Sequence, residues 1–272
     1  MFALLRVDNV SFAYPRGRAA PATTSGLTIA KATLTISRGG LVGILGANGS
    51  GKTTLLRLLS GTRRPTSGRV LLEDRPLDRM SRRDVARRMA VVPQETEVVF
   101  DFSVLEMVLM GRHPHLGLFE LEGPDDLLIA REMLQATGTA DLEQRRFSTL
   151  SGGEKQRVVI AAALTQTAEI MLLDEPTASL DLAYQLEVAS LLTDLNRTRG
   201  VTVVVATHDL NLAASVCRDL VLLRGGSIVA QGPTAEILTA ENIRALYEVD
   251  ADVHRHDASG HLVVVPLRRI AR

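Results

Sequence analysis

Three stretches of the chain hold residues whose types and spacing could do chemistry. The first, GANGSGKTT at residues 46–54, fits the pattern GxxxxGK[ST] through Gly46, Gly51, Lys52 and Thr53, and follows the apolar run Leu41–Leu45. Only glycine lets a chain curl tightly enough for its N–H groups to converge on one anion. Gly46, Gly49 and Gly51, with Ala47, Asn48 and Ser50 between them, therefore read as a phosphate cradle. Lys52 adds positive charge for the β- and γ-phosphates and Thr53 a hydroxyl suited to Mg2+. The helix that opens there, with Thr54 in its first turn, points its N-terminal partial charge at the same anion.

The second stretch is the pair Asp174 and Glu175, which closes an apolar run at residues 170–173. Asp174 is placed to bind Mg2+, directly or through water, and Glu175 to orient or deprotonate an attacking water. The plainer alternative is an acidic pair that favours a helix dipole. The third stretch is LSGGEKQR at residues 150–157. Ser151 and Glu154, with Gly152 and Gly153 between them, have the spacing of a capping box that opens a helix through residues 160–164.

In this order the three stretches resemble the ATP-binding cassette family, whose signature peptide LSGG[QE] lies between its Walker A and Walker B sequences. Further marks follow suit: an aromatic at Tyr14, Gln94 after VVP, the turn at residues 179–181 after EPTA, and His208 in THDLN. Ala47 departs from the family's usual proline and leaves the backbone cradle intact. The resemblance implies an α/β fold with a parallel-sheet P-loop core, an N-terminal antiparallel β subdomain and a helical insert. It implies ATP as substrate with Mg2+, held by Thr53, Asp174 and Gln94. Glu175, His208 and Gln94 would be catalytic, and Tyr14 would stack on adenine. In the family the signature helix faces the γ-phosphate bound by a second cassette. Ser151, Gly152, Gly153 and Glu154 would then complete another copy's site, and the partner would be a second copy of the chain.

Bulk properties agree with a cassette. A chain of 272 residues is long enough for one large core with a satellite subdomain. Its 31 Lys and Arg balance 31 Asp and Glu, so no global basic field argues for nucleic acid. The single cysteine, Cys217, excludes an internal disulfide framework and fits a buried position in a reducing compartment. No apolar run approaches the roughly 20 residues that span a bilayer, and the first residues do not have the pattern of a signal peptide. The expected location is peripheral, on the cytoplasmic side of the cell membrane.

The elements that must position these residues follow from periodicity. Alternation predicts half-buried strands before residue 37, with a loop at residues 15–26. Strands are expected at 41–45, 69–72, 90–92, 170–174, 201–206 and 220–223, and helices between them favour a parallel sheet. Residues 103–148 lose the strand signal and take helical spacing. The arginine-rich residues 81–88 read as a solvated helix face, since acidic residues are interspersed. A single cassette is expected over residues 1–240, with the insert at about 103–165 and a C-terminal extension at 241–272 bearing two short strands. His113 and His115, and separately His254 and His256 near His261, could offer metal ligands, but no cysteine or carboxylate cluster completes either set.

VLMGRHPHLG, HDLNLA and the ending around Tyr247 resemble the importers of iron-siderophores, haem and cobalamin, with the zinc and manganese importers as the nearest alternative within transport. That branch implies integral membrane permease subunits as partners and, indirectly, a substrate-binding protein. A soluble cassette ATPase acting on nucleic acid or ribosomes is the alternative of a different class. Within the insert, Val104, Leu105, Val108 and Leu109 form an apolar face. Part of that face is expected to pack on the core, and the remainder, with Met107, Met110 and the GRHPH turn, to line a groove for a short permease helix.

Overall fold

The structure is a computed structural model that describes residues 3–14, 28–94, 100–178 and 180–270. The loop expected at 15–26 and Ser179 lie outside the described residues. Along the chain come β1 (Ala3–Phe12), β2 (Ile29–Ser37), β3 (Leu41–Leu45), α1 (Lys52–Leu59), β4 (Ser67–Leu72), β5 (Arg75–Pro76), α2 (Arg82–Arg88) and β6 (Met89–Val92). Next are α3 (Val104–Leu109), α4 (Pro124–Ala136), α5 (Gly152–Thr165), β7 (Ile170–Asp174), α6 (Leu182–Arg199) and β8 (Thr202–Thr207). The last are α7 (Leu210–Val216), β9 (Asp219–Arg224), β10 (Ser227–Pro233), α8 (Thr234–Ile237), α9 (Ala240–Tyr247), β11 (Val249–Arg255) and β12 (Leu262–Arg269). The chain divides into two compact units, residues 1–80 with 204–272, and residues 81–203.

In the first unit β2-β1-β4-β5 form an antiparallel sheet. The alternation in β2 has its physical cause here, since Ile29, Ala32, Leu34 and Ile36 are buried while Lys31, Thr33 and Thr35 are exposed. β3 is buried at every residue, as a run of five consecutive apolar positions requires when both faces of a strand are covered. It pairs in parallel with β9, Leu45 opposite Leu222, and β10 adds an antiparallel edge through a two-residue Gly225-Gly226 turn. Both glycines have positive φ, as this turn demands. β11 and β12 form a separate antiparallel hairpin.

In the second unit β6 and β7 pair in parallel, Val92 opposite Leu173. Side-chain caps start α2 at Ser81, α3 at Ser103 with Glu106, and α6 at Asp181, and Gly200 ends α6 in the left-handed conformation. α3 and α4 pack on α5 and bury Val104, Val108, Ala130, Leu134, Val158 and Ala161. The arginines of α2 are engaged, Arg83 and Arg87 donating to Pro114 O and Arg88 pairing with Glu169.

The insert corrects one expectation. Met107 is buried among these helices, so it belongs to the core and lines no groove, while Met110 is 38% exposed. The GRHPH turn is likewise tied inward. Arg112 is buried, donating to Asp126 Oδ1 at 2.7 Å and to Thr165 O at 3.0 Å, and His115 Nε2 lies 2.9 Å from Gln166 O. A Cβ at Gly111 would stand 2.1 Å from Ala162 O, so the turn sits directly on the α5 backbone.

Candidate functional site

The first unit holds the phosphate-loop residues, Tyr14 and His208. The loop leaves β3 at Gly46, where a Cβ would meet Leu223 O at 2.3 Å and Ser50 Oγ at 2.5 Å. Gly49 and Gly51 take φ of +78° and +107°, which side-chain-bearing residues avoid. Ser50 N donates to Ala47 O and Gly226 N to Ser50 O, which closes the curl. Lys52 folds back so that its Nζ donates to Gly46 O at 2.8 Å, with Ala47 O at 3.5 Å. Ser50 Oγ is buried with no hydrogen-bond partner among the described residues. A buried hydroxyl calls for such a partner, and a phosphate oxygen would supply one. Thr53 is half-buried in the first turn of α1, while Asn48 is exposed.

Tyr14 is anchored to the same helix. Its hydroxyl lies 3.4 Å from Thr54 Oγ1 and accepts from Arg57 Nη1 at 3.2 Å. The Thr54 hydrogen bond, helped by Arg57 and Arg63, holds the phenol below its ordinary pKa against the opposing effect of burial. Phe12 packs edge-on to the ring at 4.9 Å, and Arg63 lies over one face at 5.7 Å. Thr54 and Arg57 share a face of α1 by their spacing of three, a signal that could have tied them to one partner. Nothing in the sequence names Tyr14 as that partner. His208 is exposed and follows Thr207, the last residue of β8, immediately before Asp209, the N-cap of α7.

The second unit brings the acidic pair and Gln94 to one edge. β6 and β7 run parallel, so Gln94, two residues beyond β6, and Asp174 with Glu175, at the end of β7, leave the carboxyl ends of neighbouring strands. That edge is where open α/β sheets place ligand-binding groups. Asp174 and Glu175 are both buried, at 7% and 8% exposure, and Gln94 is exposed. Glu175 has φ +48°, a left-handed backbone at a non-glycine residue. A turn with Ala178 N donating to Glu175 O at 3.1 Å follows directly. Such strain persists where the surroundings enforce it, and it clusters at functional sites.

The signature start is a complete capping box. Ser151 N donates to Glu154 Oε2 at 2.7 Å and Glu154 N to Ser151 Oγ at 3.3 Å. The backbone bond from Ser151 is the main reason the Glu154 carboxyl sits below the usual carboxylate range. Ser151 and Gly152 are exposed and Gly153 is buried. Against Gly153 lies Tyr184 of α6, whose ring atoms would be 2.4 Å from a Cβ there, and Arg157 covers the same ring at 5.6 Å. Tyr184 is the residue that sequence reasoning misses. Its only signal is its place three residues after the Asp181 cap, which gives no hint of the glycine opposite.

Among the described residues, no group of three or more His, Cys, Asp or Glu is gathered to hold a metal. His254 Nδ1 bonds Asp252 and His256 Nδ1 lies beside Ser259 Oγ. Cys217 is buried, and burial pushes its thiol up to about 12. No helix is long and apolar enough to cross a membrane among the described residues.

A phosphate loop on a parallel strand, an acidic pair ending a second strand and a capped LSGGE helix define a nucleotide-binding cassette. The chain belongs to the ABC transporter family, whose profile matches residues 29–178. It is 41% identical over 239 residues to the ferric enterobactin transport ATP-binding protein of Escherichia coli K12, covering 88% of each chain. To a cobalamin import ATP-binding protein of Halobacterium salinarum it is 42% identical over 232 residues, 85% of this chain. The match spans 58% of that relative's length. A solved chain reported as a metal-chelate type ABC transporter in an inward-facing conformation superposes with a TM-score of 0.84, at 33% identity and 98% coverage of both chains.

Proposed function

We propose that this chain is the ATP-binding and ATP-hydrolysing subunit of an importer, energising uptake of an iron-chelate, haem or cobalamin-type substrate through a membrane permease. The observation that carries the reading is the exposed start of α5. Ser151 and Gly152 stand exposed at a capped helix N-terminus, where an anion brought by another chain could reach them. Each chain carries one phosphate loop and one signature start, so two copies make two composite sites. The names of the enterobactin and cobalamin relatives support the substrate class.

In this reading the cradle N–H groups and Lys52 hold the β- and γ-phosphates, and Tyr14 supports the adenine on the ring face opposite Arg63. Glu175 takes the proton of the attacking water, and His208 and Gln94 hold that water and the γ-phosphate in line. The Thr53 hydroxyl and the Asp174 carboxylate are each the hard oxygen donor that Mg2+ prefers, and they suit it better than a softer metal. Bound Mg2+ would neutralise charge on the phosphates. ATP drives a cycle because it bridges two chains only when they are closed, so the permease partner sees two states. The chain would sit peripherally at the cytoplasmic face, with a substrate-binding protein acting on the far side.

Steady-state ATPase assays test the reading. Glu175→Gln should lower turnover by about 100-fold or more with ATP binding retained. Lys52→Ala should instead weaken ATP binding by about 10- to 100-fold, the cost of one charge-assisted contact. Hydrolysis stimulated by ribosomes or nucleic acid, and indifferent to a co-expressed permease, would transfer the chain to the soluble class of cassette ATPases.

A further inference from the structure

His208 stands in a short link whose backbone is fixed on both sides. Thr207 is 1% exposed and its hydroxyl accepts the Asp209 N–H at 3.0 Å. Asp209 Oδ1 then accepts the N–H groups of Asn211 and Leu212 at 2.9 and 3.0 Å. Asn211, on the first turn of α7, sends its carboxamide the other way, to the C-terminal hairpin. Its Oδ1 accepts the Val264 N–H at 2.8 Å and its Nδ2 donates to Val264 O at 3.3 Å. The amide thereby copies the N–H and C=O pair of an adjoining strand.

The hairpin is built to receive it. In an antiparallel ladder alternate residues turn both backbone polar groups away from the partner strand. Val264, opposite Val253 and 2% exposed, turns its groups towards α7. Buried groups so placed need a partner, and Asn211 satisfies both. Pro266 sits two residues on in the same phase, where a residue without an N–H costs the ladder nothing.

The geometry assigns Asn211 a positioning role: its carboxamide clamps the first turn of α7 to β12, so the C-terminal hairpin sets where His208 stands during hydrolysis. This rests on the reading of His208 as a γ-phosphate contact. α7 is too short to hold its own first turn firmly by helical hydrogen bonds, so losing the clamp should loosen the link. A misplacement of about 1 Å at a reacting group can cost about 100-fold, and partial loosening should cost less.

The test is steady-state ATPase of the full chain, normalised to nucleotide-binding sites titrated per chain so that loss of folded protein does not count. Asn211→Ala should lower kcat about tenfold with KM within about twofold. Val264→Pro, which removes the N–H from the other side of the clamp without taking a ladder bond, should move kcat the same way. His208→Ala combined with Asn211→Ala should be no slower than His208→Ala alone. Wild-type kcat in Asn211→Ala beside a slow His208→Ala overturns the inference alone, as does full additivity of the two. Wild-type kcat in His208→Ala overturns the reading of His208 and this inference with it. If Asn211→Ala does not fold, Asn211→Asp, which keeps the acceptor for Val264 N–H, is judged by the same criteria.

Discussion

The phosphate loop and the signature start both depend on glycine, for opposite reasons. In the loop, Gly51 is needed by the backbone itself, at φ +107° and with a Cβ position 2.9 Å from Thr28 O. In the signature, Gly153 has no positive φ and sits inside an ordinary helix, where it yields space to the Tyr184 ring. One region is a device of main-chain conformation. The other is a device of packing between two helices. A main-chain device is legible in sequence because its glycine spacing is local, whereas a packing device needs the residue across the gap.

The contrast can be broken by substitution, taken from the largest expected effect downward. Gly51→Ala should cost more than about 2 kcal/mol, because left-handed backbone and steric clash combine. ATP affinity by calorimetry should fall accordingly, and no change at a neighbouring side chain should restore it. Gly153→Ala should cost about 1–3 kcal/mol in denaturant unfolding, as overpacking does. Here Tyr184→Ala in the same chain should recover much of the loss, because the clash is with a side chain. Failure of that rescue would mean that Gly153 also serves the backbone.

Ser151→Ala should have the smallest effect, about 1 kcal/mol, the ordinary value of a helix cap. It carries a pH signature. The folded-state pKa of Glu154 is depressed, so its contribution to stability is present above the unfolded value of about 4.3 and fades as pH falls through the lower folded value. Removing the Ser151 hydroxyl should raise the Glu154 titration in an NMR experiment towards the ordinary value. The loss of stability in acid from this group should then be smaller and end at higher pH, its onset still set by the unfolded value. The Ser151 N–H remains in the variant, so the shift should be partial.

What the sequence made legible follows the same division. β3, β7 and α1 were expected within a residue of where they stand, because an apolar run and a glycine loop mark their ends locally. β10 is not expected from alternation, since no residue of it is fully buried and its apolar signal is weak. The Gly225-Gly226 pair before it is the signal that marks the turn. Met107 went to the wrong side of its helix because helical spacing identifies an apolar stripe without saying which margin the neighbouring helices cover. The phosphate-loop, acidic-pair and signature residues could be named from local pattern. Tyr184 over Gly153 and Asn211 on Val264 could not, since each joins elements distant in the chain.

Mass measured by light scattering on Glu175→Gln, with ATP and Mg2+ or with ADP and Mg2+, bears most directly on the composite-site mechanism. The mass should double with ATP and stay at one chain with ADP, because in the proposed composite site only a γ-phosphate would reach the exposed Ser151 and Gly152 of a second copy. The mass should also stay at one chain with ATP when Ser151→Arg is added. A variant that binds ATP yet remains one chain, or pairs equally with either nucleotide, would contradict hydrolysis at sites shared between two chains.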